Sequence, residues 1–423
     1  MVPKKPTAWV AGLALVGVAI LATVPLHGGR PRAPARLVEQ WRGAGPLAVG
    51  AASVPLDTPE GTPVAGFPRL RWAALGVRDA PAAHAIVLSE PGLAVAVVSA
   101  DILLVPPELR AAVAERLADL RLDAVLVAAT HTHSGPGGYW RDLLGERFGT
   151  GPFDERALAS IAGRVAEAVR RAFEARTPAT LSVGRARLAN VSVNRDGGEV
   201  DGRLLAIRLA DLAGRPLAQL VVFPAHATTV DPKSRLLSGD WPAALARELP
   251  GVTVFLQGAV GDQTWTTGPG TAPGTEGYGA RIAREVTGLS FSPPDPGASL
   301  GLATAEVSLP APSFGAVPRF LDRLLSNLLW SWLPPRATVT ALRLGPALLL
   351  AVPAEPTAEV GRRWRLALGE DAEVVSLANG YLGYVETPQR VLARTGEAKR
   401  TYLGPDLAFV LGDGVVLAGR AAR

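Results

Sequence analysis

Five apolar runs in this chain each stop on a polar residue of the kind that binds metals or moves protons, and that repetition constrains the fold more than any single motif. Leu93–Ala100 runs into Asp101, 123–129 into Thr130 and His131, 217–225 into His226, 252–260 into Gly261 and Asp262, and 347–354 into Glu355. Short apolar runs bounded by turn residues read as buried strands. Between them, 107–120, 154–176 and 241–249 carry apolar residues at helical spacing. The pattern predicts an α/β fold with its ligand crevice at the strand carboxyl ends. No internal repeat is present, and Ser292-Pro-Pro-Asp-Pro296 marks a loop before strand resumes over 300–309.

The most informative of these ends is Ala129-Thr-His-Thr-His-Ser-Gly-Pro-Gly-Gly-Tyr139, which holds two of only five histidines in 423 residues. In extended chain, side chains at i and i+2 lie on one face, so His131 and His133 are expected to point at one spot. The Ser-Gly-Pro-Gly-Gly that follows ends the strand and places both at the lip of a loop.

At 48% hydrophobic and 19% charged the chain can bury a substantial core. The net charge of +5 is scattered and lacks an aromatic-interleaved basic stripe, which argues against nucleic-acid binding. With no cysteine, disulfides, thiolate metal sites and cysteine nucleophiles are excluded, and any metal must be held by His, Asp, Glu or Tyr. Residues 1–27 begin with Lys4 and Lys5 and then run uncharged from Thr7 through Leu26, long enough for an amino-terminal transmembrane helix with the body outside the cytoplasm. A signal segment followed by secretion is the competing reading. Residues 28–47 read as a linker, and 48–423 as one catalytic body.

His131, His226 and Glu355 are residue types that zinc accepts, and three protein ligands plus water make a catalytic zinc site. Periodicity alone leaves His226 equally readable as a buried structural histidine, and Glu355 as a carboxylate at a helix amino terminus. Asp101, Asp240 and Asp262 are candidates to orient histidines, or to cap helices and turns. A stripe over 320–333, with Leu321, Leu324, Leu325, Leu328 and Trp332 on one face, suits either core packing or an interfacial helix at a bilayer surface.

Several motifs in order resemble the neutral/alkaline ceramidase family, over its amino-terminal catalytic domain. They are Gly50-Ala-Ala-Ser-Val-Pro-Leu-Asp-Thr-Pro-Glu-Gly61, Pro63-Val-Ala-Gly-Phe67, Val98-Ser-Ala-Asp101, Thr130-His-Thr-His-Ser-Gly-Pro-Gly-Gly138, Asn194-Arg-Asp196, Ser238-Gly-Asp240, Gly258-Ala-Val-Gly-Asp262, Val352-Pro-Ala-Glu355 and Asn379-Gly-Tyr-Leu-Gly-Tyr384. The resemblance implies a multilayer mixed-sheet domain and one zinc ion held by His131, His226, Glu355 and Tyr384. It implies His133, Arg195 and Tyr402 as catalytic groups, His133 contacting substrate or moving a proton rather than ligating, Arg195 and Tyr402 facing the oxyanion. The implied reaction is cleavage of the N-acyl amide of ceramide or a related lipid by water that zinc has acidified. Alternatives are a zinc hydrolase of another ester, lactone or amide, and a lipid-binding module without turnover. Thr264 stands where the family carries serine, and His84 where arginine is expected; both loosen the inference about substrate.

Overall fold

The structure, a computed structural model, describes residues 33–67, 73–266, 274–313, 322 and 333–423. The segments expected to form the anchor (1–27) and the interfacial stripe (320–333) lie outside the described residues, apart from Asp322 and Leu333. Among the described residues, no helix is long and apolar enough to cross a membrane.

Two sheets pack face to face with helices on both outer sides. The larger runs in the order Val252–Gln257, Pro216–Phe223, Arg203–Asp211, Thr177–Arg187, Ala48–Pro55, Ala82–Glu90, Leu93–Ala100, Ala124–Ala129. It is parallel at its two outer pairs and antiparallel between them. The smaller runs Arg36–Arg42, Leu300–Ser308, Arg336–Leu344, Ala347–Ala351, Ala372–Val375, and only its last pair is parallel.

Strand alternation sorts the side chains into layers. In Ala82–Glu90, Ile86 and Leu88 enter the core between the sheets, where they meet residues such as Leu302, Leu342 and Leu349 of the smaller sheet. Ala83, Ala85 and Val87 of the same strand face the helices Pro107–Arg116 and Glu155–Glu174. The latter helix starts where the Asp154 side chain accepts from Arg156 N. Its Ile161, Val165 and Val169 stripe lies so close to the sheet that a β-carbon at Gly50 would sit 2.0 Å from the Ala172 carbonyl oxygen. Leu407–Ala422 covers the outer face of the smaller sheet in the same way.

One boundary needs correction. Arg36–Arg42, inside the stretch read as a linker, is the edge strand of the smaller sheet, paired antiparallel with Leu300–Ser308. All of its residues but the half-buried Leu37 are exposed, so it carries no apolar alternation for the sequence to display.

The strand carboxyl ends converge, and short bridges stitch the loops beyond them: Ala128 to Ala378, Thr132 to Ala227, His226 to Thr264. Glu355–Pro356 pairs in parallel with Tyr384–Val385, placing Glu355 opposite Tyr384.

Candidate metal centre

His131 is not in extended chain. The strand ends at Ala129, and His131 has φ of 65°, a left-handed conformation uncommon outside glycine. This turn, rather than an i, i+2 strand face, brings its ring 4.8 Å from that of His133. His131 is 3% exposed and so lies beneath the loop rather than at its lip. Its Nδ1 lies 2.7 Å from the Leu103 carbonyl oxygen. That carbonyl is itself braced by wholly buried Tyr139, whose hydroxyl meets Leu103 N, Leu104 N and the Leu104 carbonyl at 3.1 to 3.3 Å.

His226 is held the same way, with its Nδ1 2.8 Å from the Gln263 carbonyl oxygen. Buried Gln257 ties the two histidine loops together: its Nε2 donates to the Thr130 and Ala225 carbonyls, both at 2.9 Å. In both rings, a proton on Nδ1 serves the carbonyl and leaves the Nε2 lone pair facing inward.

These inward atoms meet. Glu355 Oε2 lies 3.2 Å from His131 Nε2 and 3.4 Å from His226 Nε2, the Tyr384 hydroxyl is 3.1 Å from His226 Nε2, and His133 Nε2 is 3.4 Å from His131 Nε2. Neutral imidazoles turned with lone pairs toward a buried carboxylate form a donor set for a cation. Glu355 Oε2, which no donor satisfies by hydrogen bonding among the described residues, fits the same assignment. The three histidine nitrogens lie within 4.8 Å of one another.

Protonation agrees. Burial brings His226 down to about 4, outweighing the opposing pull of Glu355. Burial, with His131 and His226 adding to it, holds His133 well below its usual value. Burial alone would raise Glu355, but the two histidines keep it well below the carboxylate range. The Tyr384 and Tyr381 hydroxyls are pushed well above their usual value by burial and then by the Glu355 charge.

His133 differs from the other two histidines. Its Nδ1 is buried with no hydrogen-bond partner among the described residues, and its ring packs 5.0 Å from that of Phe67. Gly66, at φ 112°, makes room for it: a β-carbon there would fall 2.4 Å from His133 Cα.

Arg195 reaches the centre from the strand Ser192–Asn194, which pairs with Gln263–Trp265. Its Nε donates to Glu397 at 2.6 Å, its Nη2 to the Gly261 carbonyl at 2.7 Å, and its Nη1 lies 3.4 Å from His226 Nε2. Tyr402 packs its ring on Gly383, next to Tyr384, and burial followed by the nearby Glu355 charge raises its hydroxyl. All seven residues predicted for the site therefore gather at one place.

The three aspartates do not orient these histidines. Asp101 accepts from Ala82 N and Thr130 Oγ1 and lies 3.9 Å from His84; Asp240 accepts from Thr229, Val230 and Trp241 backbone N–H groups; Asp262 accepts from Asn194, Gln263 and Ala358. They brace the loops. Sequence reasoning passed over Tyr381, whose hydroxyl donates to Glu355 Oε1 at 2.8 Å, and Glu397. Tyr381 had a signal, three residues before Tyr384 in one motif; Glu397 had none.

A family model described as neutral/alkaline non-lysosomal ceramidase, N-terminal, matches residues 58–248. This stretch, under half of the chain, is similar to the neutral/alkaline ceramidase family. Neutral ceramidase A of Dictyostelium discoideum is 29% identical over 133 residues, 28% of this chain and 18% of that protein. The neutral ceramidase of Mycobacterium tuberculosis is 30% identical over 148 residues, 30% of this chain and 23% of that protein. That of Pseudomonas aeruginosa is 25% identical over 382 residues, 66% of this chain and 57% of that protein. The chain thus spans from about a fifth to just over half of the length of these curated relatives. The crystal structure of the Pseudomonas aeruginosa neutral ceramidase superposes with a TM-score of 0.75 at 20% identity, over 89% of this chain and 75% of that one. A structure described as ceramidase complexed with C2 gives 0.76 with the same identity and coverage. The mixed α/β fold is the neutral ceramidase fold.

Proposed function

We propose that this chain is a zinc-dependent amidohydrolase that cleaves the N-acyl amide of ceramide or a related lipid into fatty acid and amine. The observation that carries the reading is the meeting of His131 Nε2, His226 Nε2, Glu355 Oε2 and the Tyr384 hydroxyl, with both histidines anchored through Nδ1 on backbone carbonyls. Ligating histidines characteristically donate their second ring N–H in this way. Zinc held by these four residues would supply Lewis acidity and acidify water to near neutral pH.

His133 has the properties of a proton carrier rather than a ligand. Burial favours its neutral form, and among the described residues no partner anchors its Nδ1, which leaves that atom open to carry a proton to the departing nitrogen. Arg195 is fixed by Glu397 and Gly261, which leaves Nη1 facing the centre as a donor to a developing oxyanion. Tyr381, bonded to Glu355, also lines a largely apolar hollow of about 430 Å³ with Pro107, Ala111, Ala337, Pro353 and Leu382. That hollow suits a substrate with a hydrocarbon chain.

The amino-terminal run supports a body anchored at the membrane on its extracytoplasmic side. Deleting residues 1–26 should release a soluble protein that hydrolyses dispersed substrate; loss of folding would count against a separate anchor. Purified protein should hydrolyse labelled ceramide in preference to a panel of simple N-acyl amides, lactones and esters, and lose this activity to a chelator. Zinc-loaded protein that turns over esters or lactones alone would refute the amidohydrolase reading, and one that turns over nothing would favour a binding module.

A further inference from the structure

Behind the donor cluster lies a second layer of charge. Glu397 is 0% exposed, and its carboxylate sits between two guanidinium groups, accepting from Arg195 Nε at 2.6 Å and, through its other oxygen, from Arg400. The two arginines flank the Tyr384 ring, 5.4 and 5.5 Å from its centre. Glu397 rides on the short helical turn Gly396–Arg400, where its own backbone N–H donates to the buried Glu386 carboxylate at 3.2 Å. The Gly383 to Thr401 bridge fixes that turn to the loop carrying Tyr384.

Arg195 poses a physical problem for a metal centre. Its side chain is about a quarter exposed (26%), yet its Nη1 lies 3.4 Å from His226 Nε2, so it opposes any second cation bound among these donors. A guanidinium drawn partly out of water is also favoured by a carboxylate partner. Glu397 answers both needs, since it offsets part of the charge that Arg195 and Arg400 bring and grips the Arg195 fork from the Nε edge while Gly261 holds Nη2.

We propose that Glu397 is a positioning residue for this centre: by setting the place and the net charge of Arg195, it controls metal affinity and turnover without touching metal or substrate. The proposal rests on the zinc hydrolase reading above. Loss of an outer partner in metal sites typically costs about 10- to 100-fold in affinity. Glu397→Gln should therefore weaken zinc binding by that factor and lower kcat more than it raises KM. Glu397→Asp, which keeps the charge, should recover zinc affinity. Arg195→Ala should bind zinc at least as tightly as wild type, and the Arg195→Ala/Glu397→Gln double variant should return to wild-type affinity while remaining slow.

The test is zinc competition against a chromophoric chelator on full-length wild type and these four variants, with kcat, KM and thermal unfolding measured in parallel. Wild-type zinc affinity and kcat in Glu397→Gln would overturn the proposal. So would equal zinc loss in the Glu397→Gln single and double variants, because the loss would then be independent of Arg195. If Glu397→Gln does not fold, weaker zinc binding in Arg195→Ala than in wild type overturns the idea by itself. Wild-type protein that takes up no zinc would instead overturn the zinc reading, and this proposal with it.

Discussion

The two histidines of the Thr130-His-Thr-His133 motif lie 3.4 Å apart through their Nε2 atoms, yet the structure gives them different work, and substitution should separate them. His131 has its Nδ1 anchored on Leu103 and its Nε2 3.2 Å from Glu355; His133 Nδ1 has no hydrogen-bond partner among the described residues, and its ring packs against Phe67. Zinc sites with four protein donors bind with about 10–16 kcal/mol, so one donor of four accounts for about 2.5–4 kcal/mol. His131→Ala should therefore weaken zinc binding by about 10²- to 10³-fold. His133→Ala leaves His131, His226, Glu355 and Tyr384 untouched and should change zinc affinity by less than about tenfold, since an unanchored ring is not a built ligand. Its turnover should fall by about 10²- to 10⁴-fold, the usual contribution of a positioned proton carrier.

Metal analysis of both purified variants, zinc competition and steady-state kinetics decide the matter, with thermal unfolding as the control for folding. Equal zinc loss in the two would mean that the three histidines form the ligand set, which their mutual distances of 4.8 Å or less also allow. Normal zinc in both would remove this motif from the metal site altogether.

Three further outcomes are expected. Arg195→Ala should retain zinc and lose about 10²- to 10³-fold in kcat, the effect of removing one oxyanion donor; unchanged kcat would take Arg195 out of the mechanism. Gly66→Ala forces a β-carbon to within 2.4 Å of His133 Cα from a left-handed backbone, so it should displace His133 and cut turnover at least tenfold with zinc content unchanged; a fully active variant would show that the position of His133 is immaterial. Metal-free protein should lose stability on acidification. The folded His226 value of about 4 lies below the unfolded value of about 6.5, so the unfolded chain binds the proton first and stability present above 6.5 is lost as pH falls toward 4. The loss approaches about 3 kcal/mol, and urea unfolding midpoints that stay flat between pH 7 and 4.5 would refute it.

The strands that lead toward Asp101, Thr130, His226 and Glu355 are legible because each is a short apolar run, and hydrophobic periodicity reports burial directly. Arg36–Arg42 was not, since an exposed edge strand is specified by backbone pairing and leaves little side-chain pattern. The grouping of the seven site residues came from the resemblance of motifs, because periodicity says nothing about which strand ends meet. What neither route displays is the apparatus that aims the imidazoles. Leu103 and Gln263 act through their carbonyl oxygens, so their side chains carry no trace of the role, and Tyr139 acts one step further back by bracing Leu103. The same fact limits which substitutions matter. Replacing the Leu103 side chain should disturb the centre less than replacing Tyr139, because His131 is held by the main chain and Tyr139 is what holds that main chain in place.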